Sequence, residues 1–173
     1  MKDELLELLA GSYIASGPRP LLEALARRMA EGLGLPICRG EQGCCGVHLY
    51  SPPPRNCSPV FVAGVPGNAL RRFRLSRLEV SEVGAGIYLL RGRRGRVYVR
   101  LTPSGVETIE PPCPRGLLGE LRELLGGEAR IRDVVDVLAA RLNGDRRAAR
   151  EALEGLARKG CVEVRDGKVV IPE

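Results

Sequence analysis

Aromatic side chains are scarce in this sequence, whose 173 residues include four Tyr, two Phe and no Trp. Surfaces that bind single-stranded nucleic acids stack the bases on several exposed aromatic side chains, so the composition disfavours that function. The chain also has no run of about 18 apolar residues, which predicts that no helix spans a membrane. The first residues, MKDELLELLAG, carry acids within their apolar stretch and lack a signal-peptide pattern. We therefore expect a cytoplasmic protein.

Recognisable catalytic motifs are missing as well. His48 is the one histidine, and the carboxylates are scattered over helix faces without a converging pair for acid–base chemistry. Phosphate-binding loops, dinucleotide-binding glycine motifs and nucleophile elbows do not occur. These absences predict a protein that is not an enzyme.

Arginine is what the sequence has in excess. The formal net charge is +6, and the 27 basic residues comprise 24 Arg and 3 Lys. A positive balance of this size favours a polyanionic partner. Three Asn and one Gln are the only side-chain amides, and scarcity of thermolabile amides is typical of thermophile proteins.

The last third of the chain has the apolar spacing of helices. Leucines recur at helical intervals over about 116–125, and a second helical pattern runs from Ile131 to Leu142. Asn143-Gly144-Asp145 then leads into a basic helix, DRRAAREALEGLARKG. These patterns predict three helices, of which the last two are joined by a short turn.

A predicted hairpin follows the basic helix. Two strand-like segments, 161–165 and 168–171, flank Asp166-Gly167, a dipeptide that favours a two-residue hairpin turn. In this order of helices and hairpin, residues 116–172 resemble the winged-helix superfamily of helix-turn-helix proteins. In DNA-binding members the second helix of the helix-turn-helix lies in the major groove and reads it with its N-terminal residues.

The resemblance therefore implies duplex DNA as the partner, in transcription or another DNA transaction. Arginine is the preferred bidentate reader of guanine and also binds phosphate. The basic residues that the resemblance places at the DNA are, in the helix, Arg146, Arg147, Arg150, Arg158 and Lys159, and, in the wing, Arg165 and Lys168.

Two alternatives stay open for this segment. Arg147 and Arg150 each precede a glutamate by four residues, a spacing that also favours intrahelical ion pairs on a solvated face. Residues 70–165, in which three strands precede helices, also resemble the peptide-binding winged-helix modules of the PqqD type. That second resemblance implies a protein-interaction module that binds a peptide or partner protein within a complex, by strand addition.

A second basic segment is predicted to form a hairpin. Residues 96–101 alternate apolar and polar side chains, and residues 87–91 pair with them across Gly92-Arg93-Arg94-Gly95. Arg93, Arg94 and Arg96 are candidates for phosphate contacts that extend a DNA-binding surface. Alternatively, the arginines form a solvated face that blunts edge pairing of the sheet.

Six cysteines are the remaining chemical feature. Cys38, Cys44, Cys45 and Cys57 lie in a segment rich in Pro and Gly, Cys113 follows two prolines, and Cys161 begins the first strand of the hairpin predicted over 161–171. The usual C-x2-C spacing of zinc sites is absent. An iron–sulfur cluster on Cys38, Cys44 or Cys45, Cys57 and Cys113, disulfides, zinc with His48, and free thiols all stay open. We expect Cys161 to be a small buried residue and His48 to be a non-ligand.

Together these patterns predict an α+β protein. Residues 1–110 are expected to hold a helical hairpin (helices over 3–15 and about 20–33), a Cys/Pro-rich loop over 34–68 with one short strand, and a small antiparallel sheet. A Pro-rich linker over 111–115 then leads to a winged-helix domain over 116–173. The functional hypothesis is DNA binding with a structural, redox or iron–sulfur cysteine segment, and the alternative is a protein-interaction module.

Overall fold

A parallel sheet organises the first part of the chain in the computed structural model, which describes residues 3–172. Its strands are β1 (Ser12–Ile14), β2 (Ile37–Cys38), β3 (Val47–Leu49), β4 (Phe61–Ala63) and β5 (Ser76–Arg77). Their order across the sheet is β2-β3-β4-β1-β5, and every neighbouring pair is parallel. The central strand β4 is buried along its whole length, as is β3.

Two helices pack against this sheet and against the antiparallel sheet that follows it in the chain. They are α1 (Glu4–Leu9) and α2 (Arg19–Leu33). The carboxylate of Asp3 caps α1 by accepting from the backbone N–H groups of Leu5 and Leu6, each at 3.2 Å. α2 supplies the crossover that parallel strands require between β1 and β2. Its apolar face is fully buried and packs on β3 and β4.

Four antiparallel strands follow in a meander: β6 (Glu79–Gly84), β7 (Ile87–Gly92), β8 (Gly95–Thr102) and β9 (Gly105–Ile109). The predicted pairing of residues 87–91 with 96–101 is confirmed by the β7–β8 ladder, in which Arg91 lies opposite Arg96. One apolar core joins residues of α1, α2, the parallel sheet and this meander.

The prediction of a single helix over 3–15, and with it a simple helical hairpin, is wrong. α1 ends at Leu9, Gly11 adopts a positive φ of 76°, and Ser12–Ile14 form β1. A β-branched Ile14 and a left-handed glycine both favour leaving the helix at this point. The Ser12 hydroxyl donates to the Leu8 carbonyl at 2.8 Å, which satisfies one acceptor at the helix end.

The Cys/Pro-rich segment is also more regular than predicted. Only one short strand was expected within residues 34–68, whereas β2, β3 and β4 all lie in this segment. These strands have two or three residues each, and β3 and β4 are buried throughout, so neither shows the alternation that identifies a half-exposed strand.

The last part of the chain alternates helices and short strands. Its elements are α3 (Arg115–Leu125), β10 (Glu128–Arg130), α4 (Ile131–Arg141), α5 (Arg146–Arg158), β11 (Glu163–Arg165) and β12 (Lys168–Val170). β12 pairs antiparallel with both β10 and β11 in a sheet of order β10-β12-β11. The three predicted helices and the hairpin around Asp166-Gly167 are confirmed, and β10 was not predicted.

Two compact units divide the chain between Glu110 and Pro111. Each has its own apolar core, and in the second unit that core is built from α3, α4, α5 and the buried side chains of Cys161, Val162, Val169 and Ile171. The mixture of helices and sheets agrees with the predicted α+β class. None of the helices within residues 3–172 combines the length and apolar character needed to cross a membrane.

Candidate functional site

The six cysteines form three disulfides. Cys38 is bonded to Cys44, Cys45 to Cys57, and Cys113 to Cys161, with Cα–Cα distances of 5.7, 5.7 and 5.6 Å. Of the alternatives that the sequence left open, disulfides are therefore the one the structure contains. The adjacent Cys44 and Cys45 each find a separate partner, which places the first two bridges side by side.

This pairing corrects two expectations. The cysteines proposed as iron–sulfur ligands, Cys38, Cys44 or Cys45, Cys57 and Cys113, are instead all bonded in disulfides. Cys161 was expected to be only a small buried residue. It is indeed buried, at 1% exposure, but it is also one end of the bridge. Spacing could not show this, since 47 residues separate the two cysteines.

His48 lies beside the second bridge. Its Nε2 atom is 3.5 Å from Cys57 Sγ and accepts a hydrogen bond from the Gly46 N–H at 3.2 Å. The ring is 2% exposed, and burial lowers the pKa of His48, an effect that the negative charge of Glu41 opposes. The neutral imidazole therefore presents an Nε2 lone pair next to sulfur.

Cys45, His48 and Cys57 consequently have the composition of a metal centre. One potential ligand atom from each residue lies within 4.8 Å of the others. Sulfur and imidazole nitrogen are the ligands that zinc prefers. In the oxidised protein both sulfurs are engaged in their disulfide, so their lone pairs are poor metal donors.

The basic residues of α5 divide into paired and unpaired groups. Arg146 forms an ion pair with Asp136, which links α5 to α4. Arg147 forms the ion pair with Glu151 that the sequence allowed, at 3.6 Å. No ion pair of Arg150 or Arg158 is found within residues 3–172, and both side chains are exposed. Lys159 is the C-cap residue of α5.

The basic residues of the β11–β12 hairpin have acidic neighbours. Arg165 Nη2 lies 2.7 Å from Glu163 Oε1, and this hydrogen bond raises the pKa of Arg165. Lys168 Nζ lies 3.3 Å from Glu128 Oε1 on β10. Ion pairs this exposed contribute about 0–1 kcal/mol, so a phosphate group can displace their carboxylates at little cost.

Arg94, in the turn of the β7–β8 hairpin, has a structural role that the sequence did not indicate. The Arg94 guanidinium donates to Leu8 O at 3.4 Å, to Ser12 Oγ at 2.8 Å and to Ala10 O. Arg94 therefore caps the C-terminal end of α1. Arg94 and Arg96 also line an open groove of about 650 Å³ together with Glu4 and Glu7, so acids offset part of the positive charge there.

We expect Arg94→Ala to lower the free energy of unfolding of the first unit by about 1 kcal/mol, because three acceptors lose a charged donor that is itself largely exposed. The neighbouring Arg93→Ala at the hairpin tip removes the same charge and should change that free energy by less than about 0.5 kcal/mol. Guanidinium unfolding of both variants measures the difference. Equal effects would contradict the capping role of Arg94.

A further basic segment was not singled out from the sequence. Four arginines of residues 71–77 are exposed, and within residues 3–172 none of them forms an ion pair: Arg71, Arg72, Arg74 and Arg77. They run from the end of a 3-10 helix (Gly67–Leu70) into the edge strand β5. The RRFRLSR run of the sequence was the available signal.

Comparison of the chain with protein-family models, with curated proteins and with solved structures finds no match.

Proposed function

We propose that the second unit is a winged helix that binds duplex DNA, with α5 in the major groove and the β11–β12 hairpin as the wing. The element order α3-β10-α4-α5-β11-β12 and the sheet order β10-β12-β11 support this assignment. In such a unit α4, the turn after it and α5 are the helix-turn-helix, and the hairpin lies beside α5.

One observation carries the DNA proposal: α5 exposes arginines at its N-terminal end while its opposite face is fixed in the core. Ala149, Leu153 and Leu156 are buried, whereas Arg147 and Arg150 point away from them and are exposed. Asp145 caps the helix by accepting from the Ala148 N–H at 3.1 Å. A well-anchored helix with arginines in its first turns suits base and phosphate contacts.

The net charge of the unit limits how strong this binding is. Residues 111–173 contain twelve basic and eleven acidic side chains, so their formal net charge is +1, whereas residues 1–110 carry +5. Glu151 and Glu154 lie on the exposed side of α5 with the arginines. Affinity would therefore come from the placement of a few arginines and would be strongly dependent on salt.

A specific observation favours a protein partner as the second candidate function. Three of the large apolar side chains that are exposed lie in this unit: Leu124 at 61%, Leu142 at 38% and Val164 at 45%. Exposed apolar side chains combined with a net charge near zero suit a protein-interaction module better than a nonspecific DNA binder.

Titration of a labelled DNA duplex with the full chain, followed by fluorescence anisotropy at several salt concentrations, distinguishes the two functions. For DNA binding, the logarithm of the affinity falls linearly with the logarithm of salt concentration, by about 0.9 per phosphate contact. Arg147→Ala/Arg150→Ala should weaken binding roughly 10- to 100-fold, since a good arginine contact is worth about 1–3 kcal/mol.

The matched control removes two exposed arginines from α2 and from the Cys/Pro-rich segment, as Arg27→Ala/Arg55→Ala, and should change the affinity little. An unaltered affinity of the α5 variant would refute the recognition-helix proposal. A loss of DNA affinity seen only with Arg71→Ala/Arg72→Ala would indicate that the DNA-binding surface lies on the first unit. Absence of salt-dependent binding by the wild-type chain would favour the protein partner.

A further inference from the structure

We propose that reduction of the Cys45–Cys57 disulfide converts the Cys45, His48 and Cys57 cluster into a zinc site. Its protein ligands are Cys45 Sγ, Cys57 Sγ and His48 Nε2, and a water molecule fills the fourth position. The first unit would then exchange a disulfide for a metal centre according to the thiol–disulfide balance around it. This inference is independent of the DNA-binding proposal, which concerns the other unit.

The existing geometry is close to that of a tetrahedral site. With Zn–S and Zn–N bonds of about 2.3 and 2.05 Å, the S···N edge of a tetrahedron is about 3.5 Å. The observed distance from His48 Nε2 to Cys57 Sγ is 3.5 Å. Histidine and one sulfur therefore already have the separation that a shared metal ion requires.

The two sulfurs need only a small rearrangement. They must separate to about 3.8 Å, the S···S edge of the same tetrahedron. Their Cα atoms are 5.7 Å apart, so rotation about the Cα–Cβ bonds can achieve this without moving the backbone. Cys45 is exposed and lies outside the strands, which leaves its side chain free to turn.

His48 is prepared for ligation by its position in the sheet. It is the middle residue of β3 and is held between β2 and β4 through the register pairs with Cys38 and Val62. Nε2 accepts a hydrogen bond from the Gly46 N–H at 3.2 Å, so this nitrogen carries the lone pair that a metal ion needs. The metal ion would take the place of that donor.

The reduction is a thiol–disulfide exchange with a dithiol. A thiolate of the dithiol attacks Cys45 Sγ, the more accessible sulfur, and Cys57 leaves as a thiolate that takes up a proton. The second thiol of the dithiol then displaces Cys45 and closes the disulfide of the reductant, so two electrons and two protons pass to the protein. Zn²⁺ subsequently replaces the two thiol protons, which go to solvent.

The neighbouring bridge provides the matched control. Cys38 and Cys44 lie next to the cluster in sequence or in register, yet in the proposed site neither is a ligand. Removing both as Cys38→Ala/Cys44→Ala leaves the three proposed ligands in place and removes two competing thiols. His48→Gln removes one ligand and leaves both sulfurs.

The test uses the full chain with Zn²⁺ alone as the probe, in competition with a chromophoric chelator, before and after treatment with a phosphine reductant. The reduced protein should bind one equivalent of Zn²⁺ and the oxidised protein none. His48→Gln and Cys45→Ser should each weaken binding by more than about 100-fold, beyond the 10- to 100-fold lost when a group that merely supports a ligand is removed. Cys38→Ala/Cys44→Ala should bind like the wild type.

Co²⁺ substitution reports the ligand set directly. The reduced wild-type protein should show tetrahedral d–d bands and a thiolate-to-cobalt charge-transfer band, whose intensity falls to about half in Cys45→Ser because one of two thiolates is gone. Equal Zn²⁺ affinity of His48→Gln and wild type would overturn the site. Equal affinity of the reduced chain in 6 M guanidinium, or a loss of affinity in Cys38→Ala/Cys44→Ala, would overturn it as well.

Discussion

Replacing Cys113 and Cys161 together by alanine should lower the free energy of unfolding of the second unit by about 4 kcal/mol. The bridge joins residues that are 48 positions apart, so its removal releases a long loop in the unfolded chain. Within a unit of this size, such a loss is a large share of the stability that a domain normally has. Alanine is chosen because Cys161 is buried, where a serine hydroxyl would need a hydrogen-bond partner.

Amide hydrogen exchange of α4 and β12 in the full chain measures this loss for the second unit alone. The control is Cys38→Ala/Cys44→Ala, which opens a loop of six-residue separation in the first unit and should cost that unit about 2.5 kcal/mol. It should leave exchange in α4 and β12 unchanged. If the Cys113→Ala/Cys161→Ala protein exchanges there at the wild-type rate, the bridge does not stabilise the unit.

Phe61→Ala should lower the free energy of unfolding of the first unit by about 3–5 kcal/mol. Phe61 is fully buried at the start of the central strand β4, between Ser12 of β1 and Val47 of β3. Its ring is the largest side chain among the fully buried residues. Truncation removes apolar surface that folding takes out of water, and it leaves a cavity that short, paired strands cannot close.

The size dependence of the effect tests that explanation. Phe61→Leu retains most of the apolar volume and should cost less than about 1.5 kcal/mol. Guanidinium unfolding of the two variants gives the difference between the free energies. A similar loss in both would mean that the shape of the ring, rather than the cavity, dominates at this position.

The parts of the fold that could be predicted are those in which apolar side chains recur at regular intervals next to a recognisable turn. The β7–β8 and β11–β12 hairpins have alternating residues around Gly92–Gly95 and Asp166-Gly167, and both were expected at these places. The parallel sheet could not be predicted, because its pairing is set by contacts between residues that are distant in sequence. Ser12, for example, pairs with Phe61 and with Ser76.

The candidate site residues were predicted unevenly for a similar reason. Sequence spacing identified the Arg147–Glu151 pair, because four residues along a helix fix the distance. It could not show that Arg94 caps α1, a contact between positions that are 82 to 86 residues apart. It likewise could not place His48 against Cys57, since that depends on the loop between β3 and β4 turning back.

The Cys113–Cys161 bridge makes residues 113–161 a covalent ring that contains α3, β10, α4 and α5. A backbone break at the exposed Asn143-Gly144 turn would leave α4 and α5 in one molecule while the bridge is intact. The β11–β12 hairpin lies outside the ring and is held to it through the β10–β12 hydrogen bonds. The ring therefore keeps α4 and α5 in one molecule after such a cut, whereas a cut within the hairpin would leave the residues beyond it attached by non-covalent contacts alone.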